Sequence, residues 1–359
     1  MKYHHPVKNA LLVLTFCAVV GLVLRLELSP SSKTGDVASR SPAARLEVNH
    51  RLLVESKSTV DAKTALQEMK KALRQMDAKE AVAWILQELE HSKDFATQLE
   101  LELGTDQNLT AWPSYRVFLL DALMLVDPAL AATKARELLQ SPGTADEWAI
   151  AMRNLARGGG LPEDDALLKA KSAELLRNST WRSQPSSGYL QAFDVIVHTK
   201  NTALAPELMS LCDKRDQQAV RHAAYLTLDR LLLVQPDVVL PALSQSASQH
   251  SQSGLMISNM IARADMREPK QQQAVETYLL DEQRTAEELQ GFASVFPNAN
   301  LSVSDNLLTK SPSIDGTELA LKDRAALETI TAWLADPKFA RVQTVLRQSY
   351  QRLQGFVQQ

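Results

Sequence analysis

Seven prolines punctuate the chain at a nearly regular interval, and no other feature limits its choice of fold so strongly. Pro128, Pro162, Pro206, Pro236, Pro269, Pro297 and Pro337 stand 34, 44, 30, 33, 28 and 40 residues apart. That interval matches two helices and their turns. Proline belongs in the first turn of a helix, where its missing N–H would go unbonded in any case. Asp127, Gln235 and Asp336 precede three of these prolines near the capping position. Each proline therefore predicts the turn at which one helix of a pair ends and the next begins.

Between and ahead of these marks, apolar residues recur in steps of three and four. Ala65, Leu66, Met69, Ala72, Leu73 and Met76 form one stripe, and Ala81, Val82, Ile85, Leu86 and Leu89 the next. Such spacing puts each set on one face of a helix. Composition agrees: glycine is scarce, and Ala, Leu, Gln, Glu, Lys and Arg, all good helix formers, fill most segments. One short alternation, Leu99, Leu101 and Leu103 within residues 98–103, reads as a strand or a loop.

The clearest pair is AVRHAAYLTLDRLLLVQ followed by PDVVLPALSQS. Its predicted buried stripe is Val220, Ala223, Ala224, Leu228 and Leu231, with Arg221 and Asp229 outside it. The Asp216-Gln-Gln-Ala-Val-Arg-His-Ala-Ala pattern, with Pro236 and Pro241-Ala-Leu following, resembles a HEAT-type repeat. The match is motif by motif over residues 216–246 and in outline over about 112–290. The resemblance implies an all-α fold, a right-handed solenoid of antiparallel HEAT-like helix pairs. Arrays of this kind mostly bind other proteins along a concave face, although fold alone does not assign function. Residues 298–323, rich in Ser, Asn, Asp, Pro and Gly, break the pattern. They read as a long loop or strained helix before the last helix pair resumes at Arg324, an insertion tolerated on the surface in preference to a loop that faces a ligand.

Ala10 to Leu24 is a run of fifteen uncharged positions, preceded by Lys2 and Lys8 and closed by Arg25. With snorkelling of the flanking cations it is just long enough to span a bilayer. The expectation is one N-terminal transmembrane helix over residues 10–26, a signal-anchor with residues 1–9 on the cytoplasmic side. The body then lies outside the cytoplasm, in the periplasm if the source is bacterial. A cleaved signal peptide and a secreted product is the alternative. Residues 27–58, with their Ser, Pro, Lys, Arg and Asp content, read as a flexible tether, and residues 59–359 as the helical repeat domain.

Little in the chain points to chemistry. Its 39 basic and 42 acidic side chains give a formal charge of −3, so no broad positive field favours nucleic acid. Cys17 lies in the apolar run, leaving Cys212 without a disulfide partner and placed as a packing residue. The histidines show no metal-ligand spacing, and His222 falls on a polar helix flank. Gly158-Gly159-Gly160 lacks the Lys-Ser/Thr ending of a phosphate-binding loop and reads as a flexible turn. Glu163-Asp164-Asp165, just after Pro162, suits helix capping. No catalytic, cofactor-binding or metal residue is assigned, and no cofactor is expected. The expected function is a membrane-anchored scaffold that binds a protein partner. The alternatives are an enzyme or processing factor with a motif-free site in a helical pocket, and a structural envelope component.

Overall fold

The computed structural model describes residues 41–247, 253–302, 304–311, 313 and 315–357. The expected cytoplasmic segment 1–9, the expected transmembrane segment 10–26 with Cys17, and the tether up to residue 40 lie outside the described residues. Among the described residues, no helix is long and apolar enough to cross a membrane. The fold is all-α. The strands among the described residues are β1 (Glu102–Leu103) and β2 (Leu109–Ala111), which pair antiparallel with Glu102 opposite Ala111. The alternation expected to make a strand over 98–103 thus gives one only at its last two residues.

The chain opens with α1 (Pro42–Glu55), α2 (Thr59–Gln75) and α3 (Ala78–His91). After the hairpin come α4 (Tyr115–Val126), α5 (Pro128–Leu139), α6 (Ala145–Gly158) and α7 (Pro162–Arg177). Three single-turn helices follow, α8 (Ser179–Ser183), α9 (Ser187–Gln191) and α10 (Asp194–His198), then α11 (Ala205–Cys212), α12 (Gln218–Val234) and α13 (Pro236–Ser246). The C-terminal part holds α14 (Gly254–Ile261), α15 (Pro269–Leu280), α16 (Ala286–Val295), α17 (Gly316–Ala335) and α18 (Gln343–Val357). Helices pack chiefly on elements close in sequence: α1 on α2, α5 on α6, α11 on α12, α17 on α18, and, one element further along, α4 on α6, α13 on α15 and α14 on α16.

Six of the seven marker prolines start helices. Pro128, Pro162, Pro206, Pro236 and Pro269 occupy the first turns of α5, α7, α11, α13 and α15, and Pro337 opens a 3-10 turn over Pro337–Val342. Pro297 departs from the pattern, lying just beyond Phe296, the C-cap of α16. The caps are chemically apt. Asp127 accepts from Leu130 N ahead of Pro128, and Thr144 with Glu147 and Thr285 with Glu288 form reciprocal capping boxes at α6 and α16.

Two expected boundaries are corrected. The tether does not run to residue 58: Ser41 caps α1, and Leu46 and Leu53 bury against the core. Leu46, Asn49 and Leu53 share one helix face, which offsets the polar content that made the segment look unfoldable. The break after α16 is also shorter than 298–323, because Asp315 accepts from Thr317 N and starts α17 at Gly316. Nor does that stretch float on the surface, since Asn306 and Leu307 within it are buried.

The stripe from Ala65 to Leu73 is buried on α2, with Met76 partly covered at its C-cap. Behind it lies an aromatic cluster in which Tyr115 stacks between His50 and Phe95, and Trp112 meets Phe118 edge-on. At the end of α6 the packing is tighter still: a Cβ on Gly158 would stand 2.0 Å from the carbonyl oxygen of Pro128. The Gly158–Gly160 turn is thus set by close approach rather than looseness. Gly158→Ala should push α5 from α6 and lower stability by about 2 kcal/mol or more, the cost of overpacking a dense interior. Urea denaturation reads that loss, and Gly160→Ala, which meets nothing within 4 Å, should leave the midpoint nearly unchanged.

Candidate functional site

Three buried carboxylates recur along the chain on α4, α10 and α12, each paired with a guanidinium 32 to 36 residues further on. Asp121 on α4 faces Arg153 on α6, Asp194 on α10 faces Arg230 on α12 at 2.9 Å, and Asp229 on α12 faces Arg263, just past α14, at 2.7 Å. The partners are 32, 36 and 34 residues apart, within the range of the proline spacings. Asp121 and Asp229 sit in helices whose other faces are apolar, and burial would neutralise them if they stood alone.

Their surroundings differ, and so does their acidity. Burial pushes the Asp121 carboxyl up, but Arg153 and Lys70 outweigh it and hold the group below the usual carboxylate range. Lys70 Nζ is 3.0 Å from its Oδ2, and Trp112 Nε1 donates to the same oxygen at 2.9 Å. Asp229 has fewer donors, and there burial wins over Arg263, raising its pKa.

Between α16 and α17, residues 304–311 fold back as a strap onto this row. Leu308 N and Thr309 N both donate to Asp194 Oδ2, at 2.7 and 2.8 Å, and the Thr309 hydroxyl donates to Oδ1. Arg157, on the last turn of α6, donates to the carbonyl oxygens of Leu307 and Gln107, each at 3.2 Å. Gln107 returns a bond from its side chain to Thr309 O at 2.9 Å. Its backbone takes a left-handed φ of 65° in the β1–β2 turn, which turns its carbonyl towards Arg157. Burial, with Arg153 close by, lowers the Arg157 pKa to about 10, still far above neutrality. Arg157 is thus a cation whose hydrogen bonds go to main chain.

Beside this row opens a cleft of about 670 Å³ between α3, α4, α5 and the turn into α6. Leu86, Leu89, Leu120 and Leu138 form its floor, and Glu90, Arg116, Lys134, Glu137 and Glu147 its rim. Most rim charges are already matched: Arg116 Nε is 2.8 Å from Glu147 and Lys134 Nζ 2.8 Å from Glu137. A second, more polar cleft of about 510 Å³ lies near Arg215, Arg221 and Arg284. Among the described residues, no group of three or more His, Cys, Asp or Glu side chains is placed to hold a metal ion.

The residues singled out in the sequence are scattered. Cys212 is buried and free at the end of α11, its thiol pushed up to about 12 by burial, which suits packing rather than nucleophilic chemistry. His222 is exposed on α12. Asp164 accepts from Gly160 N and Leu161 N, each at 3.0 Å, and takes both prongs of the Arg136 fork, while Asp165 pairs with Lys169 at 2.7 Å on the helix surface. What sequence reasoning missed is the paired row. Asp229 was placed outside its apolar stripe, yet it is buried, and Arg153, Asp194, Arg230 and Arg263 drew no notice. The available signal was the Asp-to-Arg interval, which falls within the range of the proline spacings. No protein-family model, curated protein or solved structure matches the chain.

Asp164 supplies a pH test. The Arg136 hydrogen bonds lower its pKa to about 2, against 3.8 ordinarily. A depressed carboxylate stabilises the fold above its unfolded pKa and loses that contribution as pH falls through the folded value. Stability should therefore drop by about 1 kcal/mol between roughly pH 4 and pH 2, once solvent screening of this partly exposed pair is allowed for. In Asp164→Asn that increment should vanish from the acid limb of thermal unfolding; an unchanged acid limb would show that the pair adds nothing.

Proposed function

We propose that this chain is a membrane-anchored scaffold that holds a protein partner outside the cytoplasm, its HEAT-like helix pairs stacked as a right-handed solenoid. Packing between helices close in sequence supports the stacked reading, as do cross-links that recur at the helix-pair interval. Residues 10–26 supply the anchor, from the length and charge flanks of that run.

The cleft floored by Leu86, Leu89, Leu120 and Leu138 carries the binding part of the reading. Apolar side chains at helical spacing on a solvent-open groove favour the apolar face of a partner helix. Four of the five rim charges are paired with each other, Arg116 with Glu147 and Lys134 with Glu137, which lowers their desolvation cost under a partner that lacks matching charges. A reaction site would want groups left poised for chemistry, whereas Glu147 and Arg116 are engaged with each other.

In-membrane crosslinking of the full chain tests this. The wild type should capture a defined partner, and the double change Leu89→Asp/Leu138→Asp should cut capture at least tenfold, as loss of a central apolar anchor does. Leu161→Asp, at an exposed apolar position away from the cleft, should leave capture unchanged. Undiminished capture by the folded double variant would contradict the cleft as the binding site. For the anchor, the chain should stay with membranes after alkaline carbonate extraction, and release into the supernatant would refute it.

A further inference from the structure

The grip on the strap is built from parts that read main chain, and this points to a second use. A surface segment normally satisfies its own polar backbone through turns and water. Here Arg157 from α6 takes the carbonyl of Leu307, Asp194 from α10 takes two successive N–H groups, and Gln107 takes the carbonyl of Thr309. In an extended chain, successive N–H groups point to opposite sides. Leu308 N and Thr309 N both reach one carboxylate oxygen because the chain bends at residues 307 and 308, which brings the two amides to the same side. Two side-chain features add selectivity: Leu307 is fully buried, and the Thr309 hydroxyl donates to Asp194. Lys310 points to solvent and is not read.

We infer that the surface formed by Gln107, Arg157, Asp194 and Arg230 is a peptide-binding site that the chain occupies with its own strap, and that it accepts in trans a turn with an apolar residue two positions before Ser or Thr. This rests on the binding-scaffold reading and adds to it a second site, separate from the leucine cleft, for a different element of the partner. The strap is then a self-inhibitory contact. A tethered segment acts at an effective concentration in the millimolar range, so an outside peptide competes poorly until the strap is weakened.

The probe is a fluorescent peptide with the strap's own sequence, SDNLLTKS, titrated by anisotropy into full-length protein. Leu307→Ser/Thr309→Ala, which loosens the strap, should bind it at least tenfold more tightly than wild type. Adding Asp194→Asn to that background should abolish the gain. If the strap amides of the double variant exchange freely and the peptide still binds no better, the strap is a structural strut and the inference fails. Should the double variant not fold, wild-type hydrogen exchange decides. Opening of the Leu308 and Thr309 amides well below global unfolding supports a displaceable strap, and exchange only through global unfolding overturns it. Failure of the peptide with continued partner capture through the leucine cleft would sink this inference alone.

Discussion

Buried carboxylate–guanidinium pairs between consecutive helix pairs are the constraint on which the rest of this structure turns. Apolar stripes alone let neighbouring helices slide, since one greasy face fits another in several registers. A carboxylate such as Asp121, sealed from water, tolerates one arrangement, the one that brings Arg153, Lys70 and Trp112 to it together. Moving α6 by a turn would leave both charges unpaired, at a cost of several kcal/mol. The net gain over a purely apolar contact is small, and what the pairs supply is discrimination between registers.

The same logic explains how a segment of low apolar content becomes ordered. The strap buries Leu307, but a single leucine contributes about 2 kcal/mol, less than the cost of ordering its neighbours. Asp194 makes up the difference, because the row has already held that carboxylate in place through Arg230. An interaction that registers α10 against α12 thus also fixes a segment more than a hundred residues further on, and with it the β1–β2 turn at Gln107. Local order and long-range contact share one side chain.

How much of this was legible in the sequence depends on which force sets each feature. The stripe on α2 and the prolines of α5, α7, α11, α13 and α15 could be read because burial periodicity and the missing proline N–H act within a few residues. Helix α1 was misread because only Leu46, Asn49 and Leu53 are buried on it while the apolar Leu52 and Val54 are exposed, so no clean stripe stands out beside the Ser/Pro-rich run before it. Arg153, Asp194 and Arg263 were overlooked for another reason: a charged residue on or beside a helix is usually solvated, and only the partner 32 to 36 residues away makes it a core residue. Gly158 misled in the opposite sense, as three glycines suggested looseness where the first is required by Pro128 O.

A double-mutant cycle on Asp121 and Arg153 tests the central claim most directly. Urea unfolding of Asp121→Asn, Arg153→Met and the combined variant gives the coupling between the two side chains. If the pair sets the register of α4 against α6, the single changes should each be strongly destabilising, the combined change much less so than their sum, and the coupling above about 1.5 kcal/mol. Additivity within about 0.5 kcal/mol would mean that the two helices hold their places without it, and that something other than the buried pair sets their register.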